Sequence, residues 1–223
     1  MGFGLVTEGL ARLNISRLWS AAAAATGVLF AVVLIFAVGV GGSPTASITP
    51  DDTSAAIAAA MLENTTNLVT GNYLLLLAAF LLIVFVGYLR SAILPEEGEG
   101  WPAFIGFGGG MVTAGVLTIV ALIGIAEGQI TDYGSDPVVA RTLLTLGWNG
   151  IWMTTPGLAA LTAGMSLLSL TYSTLPRYLG SLGALSAVFL LTPLWGIGFV
   201  GALLWISVTS VVLTIRELRT TDD

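Results

Sequence analysis

Residues 18–40, "LWSAAAAATGVLFAVVLIFAVGV", carry no charged side chain, and Ser20 and Thr26 supply their only hydroxyls. A helix of that length rises ~34 Å, enough to cross the ~30 Å of hydrocarbon in a bilayer. Such a helix is apolar on every side, so it must be covered by lipid or by a large protein interior. Similar runs recur along the chain, and 56% of all residues are hydrophobic while only 9% are charged. With a mean hydropathy of +0.95, the sequence describes an all-α, multi-pass integral membrane protein.

Six spans are expected. The first is Leu18 to Val40, preceded by a polar segment, residues 1–17; its apolar core exceeds the ~7–15 residues of a secretory signal, so it is expected to stay in place. The second runs from Asn72 to Leu89, and the third from the Trp101-Pro102 pair to Ala126. The fourth covers Val138 to Leu170 and is too long to cross without tilt, kink or protrusion. Pro176 to Leu191 and a segment ending at Ile215 complete the set. The transmembrane domain is therefore residues 18–215, followed by a tail, 216–223. Both termini are expected in the cytoplasm of a prokaryotic cell, beneath its plasma membrane. That placement puts Arg12, Arg17, Arg90, Arg177, Arg216 and Arg219 inside and only Arg141 outside.

The outer loop, 43–70, carries Asp51, Asp52 and Glu63 and no basic residue. The Asp51-Asp52-Thr53 cluster is a helix start, and Ile57 and Met61 fall four apart, so a short amphipathic helix is expected there, as a connector or as a lid. Asn64-Thr65-Thr66 matches a glycosylation sequon. The second outer loop is expected from Glu127 to Pro137.

The inventory of reactive groups excludes much. There is no His and no Cys, and all seven basic residues are Arg. Thiolate or imidazole metal sites and a Schiff-base lysine are therefore impossible, and no cofactor is expected. A net charge of -6 argues against nucleic acid as a partner. "GFGGGMVTAG", residues 106–115, has the glycines of a phosphate loop but neither its strand nor its lysine. Gly106, Gly110 and Ala114 instead form a small-residue stripe for close helix packing, as do Ala21 with Ala25, Gly157 with Ala160 and Gly164, and Gly180 with Ala184. Such stripes would also serve a protein partner or a second copy; membrane lipids are the other expected partners.

The stretch "LGWNGIWMTTPGLAALTAG", residues 146–164, is the most unusual. Thr142, Thr145, Asn149, Trp152 and Pro156 recur at helical spacing, so they share one face, which is expected to point inward. Pro156 cannot donate to the carbonyl of Trp152, an oxygen that Thr154 and Thr155 can satisfy. Asn149 is then either an interhelical hydrogen-bonding group or, with Trp152, the floor of an outward-facing cavity rimmed by Arg141, Glu127 and Trp148.

At "GYLRSAILPEEGEGWPAFIGFGGG", "LPRYLGSLG" and "DDTSAAIAAAMLENTTN" the chain resembles an uncharacterised family of six-span prokaryotic membrane proteins, over about residues 50–215. The resemblance implies the multi-span fold and no activity. The expected function is non-catalytic: a bundle that binds a small or lipid-like ligand or serves as a subunit of a membrane assembly. A small secondary transporter is the second reading and an intramembrane enzyme the third.

Overall fold

The computed structural model describes residues 3–42, 51–93, 100–130, 136–172 and 175–219, with the side chains of 3–15, 42, 93 and 130 excepted. Among these residues there is no strand. The helices are α1 (Phe3–Gly42), α2 (Ser54–Glu63), α3 (Thr65–Ile93), α4 (Trp101–Ile130), α5 (Pro137–Trp152), α6 (Thr154–Tyr172), α7 (Arg177–Leu190) and α8 (Trp195–Arg219). Five stretches are long and apolar enough to cross a membrane: Ser16–Gly41, Thr65–Ala92, Trp101–Gln129, Pro137–Tyr172 and Trp195–Arg219. The expected fifth span is the shorter α7, whose 14 residues rise ~21 Å.

Local chemistry sets the ends. Thr53 caps α2, its hydroxyl accepting the Ala56 N–H at 3.3 Å, and Asp136 caps α5 by accepting the Val138 N–H at 2.9 Å. Pro137 occupies the first turn of α5, where its missing N–H costs nothing. From residue 54 to residue 70 the expected outer loop is helical apart from Asn64, which closes α2, and α3 starts at the next residue. The Asn64 amide donates to the Ala60 carbonyl at 2.9 Å.

Six helices form a closed ring: α1 packs on α3, α3 on α4, α4 on α6, α6 on α7, α7 on α8, and α8 returns to α1. Inside it lie Phe30, Leu82, Phe85, Leu161, Met165, Leu168 and Trp205, all fully buried. α5 continues the line of α6 and packs outside the ring on α4, and α2 packs on α5. There Ile57, Ala58 and Met61 share a second apolar cluster with Leu68, Ala140 and Leu144.

Small residues set how closely the helices approach. A Cβ on Gly109 of α4 would stand 2.5 Å from the Leu161 nitrogen and 2.6 Å from the Gly157 oxygen, so the two backbones touch. One Cβ on Gly164 would meet Pro102 and Gly106 in the same way, and one on Gly150 would lie 2.6 Å from Val120. α4 therefore runs antiparallel to α6 and then α5 over its whole length. Of the expected stripe, Gly106 lies against Met165 of α6 and Gly110 against Val86 of α3, while Ala114 is buried, so the stripe is taken up within the chain.

The ring closes through a polar contact. The Ser210 hydroxyl of α8 donates to the Ala24 carbonyl at 2.5 Å and accepts the Val28 N–H at 3.1 Å. These are the two groups of α1 that a regular helix would pair with each other. At the end holding Arg90 and Arg216, the Tyr88 hydroxyl donates to the Glu217 carboxylate at 2.8 Å. Beside it the Arg90 guanidinium stands 4.9 Å from the centre of the Phe107 ring.

Candidate functional site

The expected break in the fourth span falls at Met153, the single residue between α5 and α6. Its N–H turns back to the Gly150 carbonyl at 3.1 Å. The hydroxyl of Thr154 donates to the Ile151 carbonyl at 2.6 Å, and that of Thr155 to the Trp152 carbonyl at 2.8 Å. The oxygen that Pro156 cannot serve is thus satisfied locally, as its neighbours suggest.

The face of α5 is not the expected one. Thr142, Asn149, Trp152 and Pro156 are exposed and Thr145 is half-buried, so the polar stripe points away from the bundle. What turns inward is Ala140, Leu144, Gly147 and Gly150. The physical reason is distance: α4 can approach only where α5 offers glycine or alanine, and the larger polar and aromatic side chains are left on the other side. The stripe satisfies its own donors, since Thr142 bonds the Val138 carbonyl, Thr145 the Arg141 carbonyl and Asn149 the Thr145 carbonyl, at 2.9, 2.8 and 2.8 Å.

Glu127 also departs from expectation. It lies in the last turn of α4 and not in a loop, because α4 continues past Ala126 to Ile130. Only 7% of its surface is exposed. A Cβ on Gly147 would stand 3.4 Å from its Oε1, so this glycine leaves room for the carboxyl group. One turn earlier, Gly124 is filled by the Asn72 side chain of α3, which donates to the Leu68 carbonyl at 2.8 Å.

The five residues expected to form a cavity are therefore not gathered into one. Arg141, Trp148, Asn149 and Trp152 are on the outer side of α5, whereas Glu127 is behind its inner side. Trp152 instead meets Trp195 at the start of α8, with ring centroids 3.9 Å apart and planes at 61°. This edge-on pair braces the α7–α8 turn against the α5–α6 break. Among the described residues no group of three His, Cys, Asp or Glu side chains could hold a metal ion.

Among the described residues, Ser166 Oγ, Trp205 Nε1 and Thr209 Oγ1 are buried without a hydrogen-bond partner, and no sequence pattern announces them. No family model, curated protein or solved structure matches the chain.

Proposed function

We propose that this chain is a non-catalytic subunit of a membrane assembly and that the outer face of α5 carries its partner. The observation behind this reading is the composition of that face. Arg141, Trp148, Asn149, Trp152 and Met153 are all exposed on one 16-residue helix and the residue that ends it. Trp, Met and Arg are the residues enriched at protein interfaces, and Trp and Arg dominate their energetics. The ring itself is filled by large side chains, which argues against passage of a solute and against the transporter reading.

The tryptophans also support a placement in the bilayer. Gly27 abuts Phe85 and Gly110 abuts Val86, so Trp19 and Trp101, eight and nine residues earlier, lie at one level. They are 73% and 57% exposed. Trp148 and Trp152, 48% and 40% exposed, flank Gly150, which abuts Val120. From Trp101 to Val120 the helix rises ~28 Å, close to one hydrocarbon thickness. We infer six crossings between these girdles, with α7 as the short one, and α2, most of α5 and Glu127 beyond the outer girdle. Arg17, Arg90, Arg177, Arg216 and Arg219 then share the other side, which supports cytoplasmic termini. Asn149 sits at the level of the headgroups, where an exposed amide is easily solvated.

The test uses the absence of native cysteine. With Asn149→Cys, cross-linking in native membranes followed by purification in mild detergent is expected to capture a stoichiometric protein, either another polypeptide or a second copy. Arg141→Ala with Trp148→Ala should abolish the capture. A monomer that forms no cross-link from position 149 would overturn the reading.

A further inference from the structure

Among the described residues, Glu127 is the only charged side chain that is buried. Helices on two sides enclose it. On α5, Gly147 stands alongside the carboxyl group, and Leu144 follows one turn further toward the end of α4 on the same buried face. On α3, Val69 packs against Gly128 and Asn72 against Gly124, so Glu127 lies between their levels. Asn72 spends its amide on the Leu68 carbonyl. No described residue gives the Glu127 carboxyl group a hydrogen bond or an opposite charge.

Over this end of α4 lies α2, which packs on α5 and also touches α3 and α4. Its buried residues are Ile57, Ala58 and Met61, and they meet Leu68 of α3 and Ala140 and Leu144 of α5. That cluster is separate from the core of the ring. A single non-helical residue, Asn64, joins α2 to α3. A ten-residue helix held by three apolar side chains is a unit of low local stability, able to open while the ring stays intact.

An ionised carboxylate buried without a counter-charge is strongly disfavoured, and such a group takes up a proton instead. A Cβ on Gly147 would stand 3.4 Å from Oε1, an ordinary contact, so the packing gives the carboxyl group room and little more. A proton is the one cation that needs no further space. We propose that Glu127 is a proton-binding site closed by α2: with its proton it stays buried beneath the helix, and loss of the proton swings α2 outward about Asn64 and admits water. Burial favours the neutral acid, so by linkage the neutral acid favours burial. Closure is therefore complete in acid and is lost as the pH rises. No other described group at this level titrates: α2 presents its three apolar residues, α3 presents Leu68, Val69 and Asn72, and α5 presents Leu144 and Gly147. Glu63, Tyr73, Asp136 and Arg141 are exposed, and Asp51 and Asp52 lie beyond the capped end of α2.

The chain has no cysteine, so Ala58→Cys reports on the inner face of α2, and Ala55→Cys, exposed on the same helix, is the reference. The full chain in mild detergent is treated with an uncharged thiol reagent, and the rate at 58 is divided by the rate at 55 to remove the effect of pH on thiol reactivity. From about pH 6 to about pH 9 an exposed glutamate, which titrates at ~4.3, stays ionised. The ratio should nevertheless rise about tenfold with Glu127 present and stay at its low-pH value with Glu127→Gln, which keeps the neutral form at every pH. A constant ratio in the presence of Glu127 would overturn the proposal. So would an equal rise with Glu127→Gln, which would place the titrating group elsewhere. Infrared spectra provide a second readout: the carbonyl band of a protonated carboxylic acid should be present in the wild type at the lower pH, fade at the higher, and be missing from Glu127→Gln. No such difference between the wild type and Glu127→Gln at the lower pH would sink the site.

Discussion

Asn149 illustrates how a residue's own chemistry can be legible while its direction is not. Its amide needs partners, and it finds one in the Thr145 carbonyl of its own helix; nothing across the bundle reaches it. Asn149→Leu is therefore expected to change the stability of the isolated chain by less than about 0.5 kcal/mol, as for a surface position, while weakening partner capture. Asn149→Asp should fold equally well, and Asn149→Cys should react with a water-soluble thiol reagent once the partner is removed. A loss of several degrees in melting temperature for Asn149→Leu would mean the side chain is covered. Glu127 is the opposite case. Its burial depends on Gly147 coming alongside from twenty residues away, which no local pattern announces. Because no described residue donates a hydrogen bond to the carboxyl group, Glu127→Gln should be neutral or raise the melting temperature, by removing the cost of a buried ionisable group. A marked loss of stability would mean that the charge is paired.

At the level of helices, what could be read from the sequence followed from adjacency along the chain. Ile57 and Met61 share a face of α2, and both are buried there. Thr155 repairs the carbonyl left by Pro156 because the two groups are neighbours. What could not be read was which face of α5 meets α4, since the choice belongs to the pair of helices. Two glycines on α4 separate these effects. Gly109→Ala places a methyl group against backbone of α6 and should cost about 1 to 3 kcal/mol by overpacking. Gly115→Ala meets nothing within 4 Å and should be neutral or slightly stabilising, since alanine is the better helix former. Thermal denaturation of the two variants in one detergent provides the comparison. Equal melting temperatures would remove close α4–α6 contact as the organising feature of this seam.

For the molecule as a whole, composition was enough to indicate a helical membrane bundle, and the arginine pattern to suggest its orientation. The number of crossings was harder, because the α7–α8 turn is tight and α7 is short, so length alone leaves its crossing open. Single cysteines in place of Ala55 and Val138 should label from the outside of intact cells, and those in place of Tyr178 and Arg219 should not. Labelling of position 219 from outside, with position 178 still protected, would remove α7 as a crossing and reduce the count to five.

The Ser210 contact has a consequence in time. It joins Ala24 and Val28 of α1 to a residue made 182 positions after Val28. Until α8 emerges, one turn of α1 lacks its final hydrogen-bonding arrangement, and the groups of α1 that will face α8 are open to lipid. The nascent bundle is a horseshoe whose gap closes only once α8 has been made. Chains stopped before Trp195 should therefore be recognised as unfinished and degraded faster than the full chain in a pulse-chase experiment. Full-length Ser210→Ala should show an intermediate lifetime, because it closes the ring without the contact that fastens it.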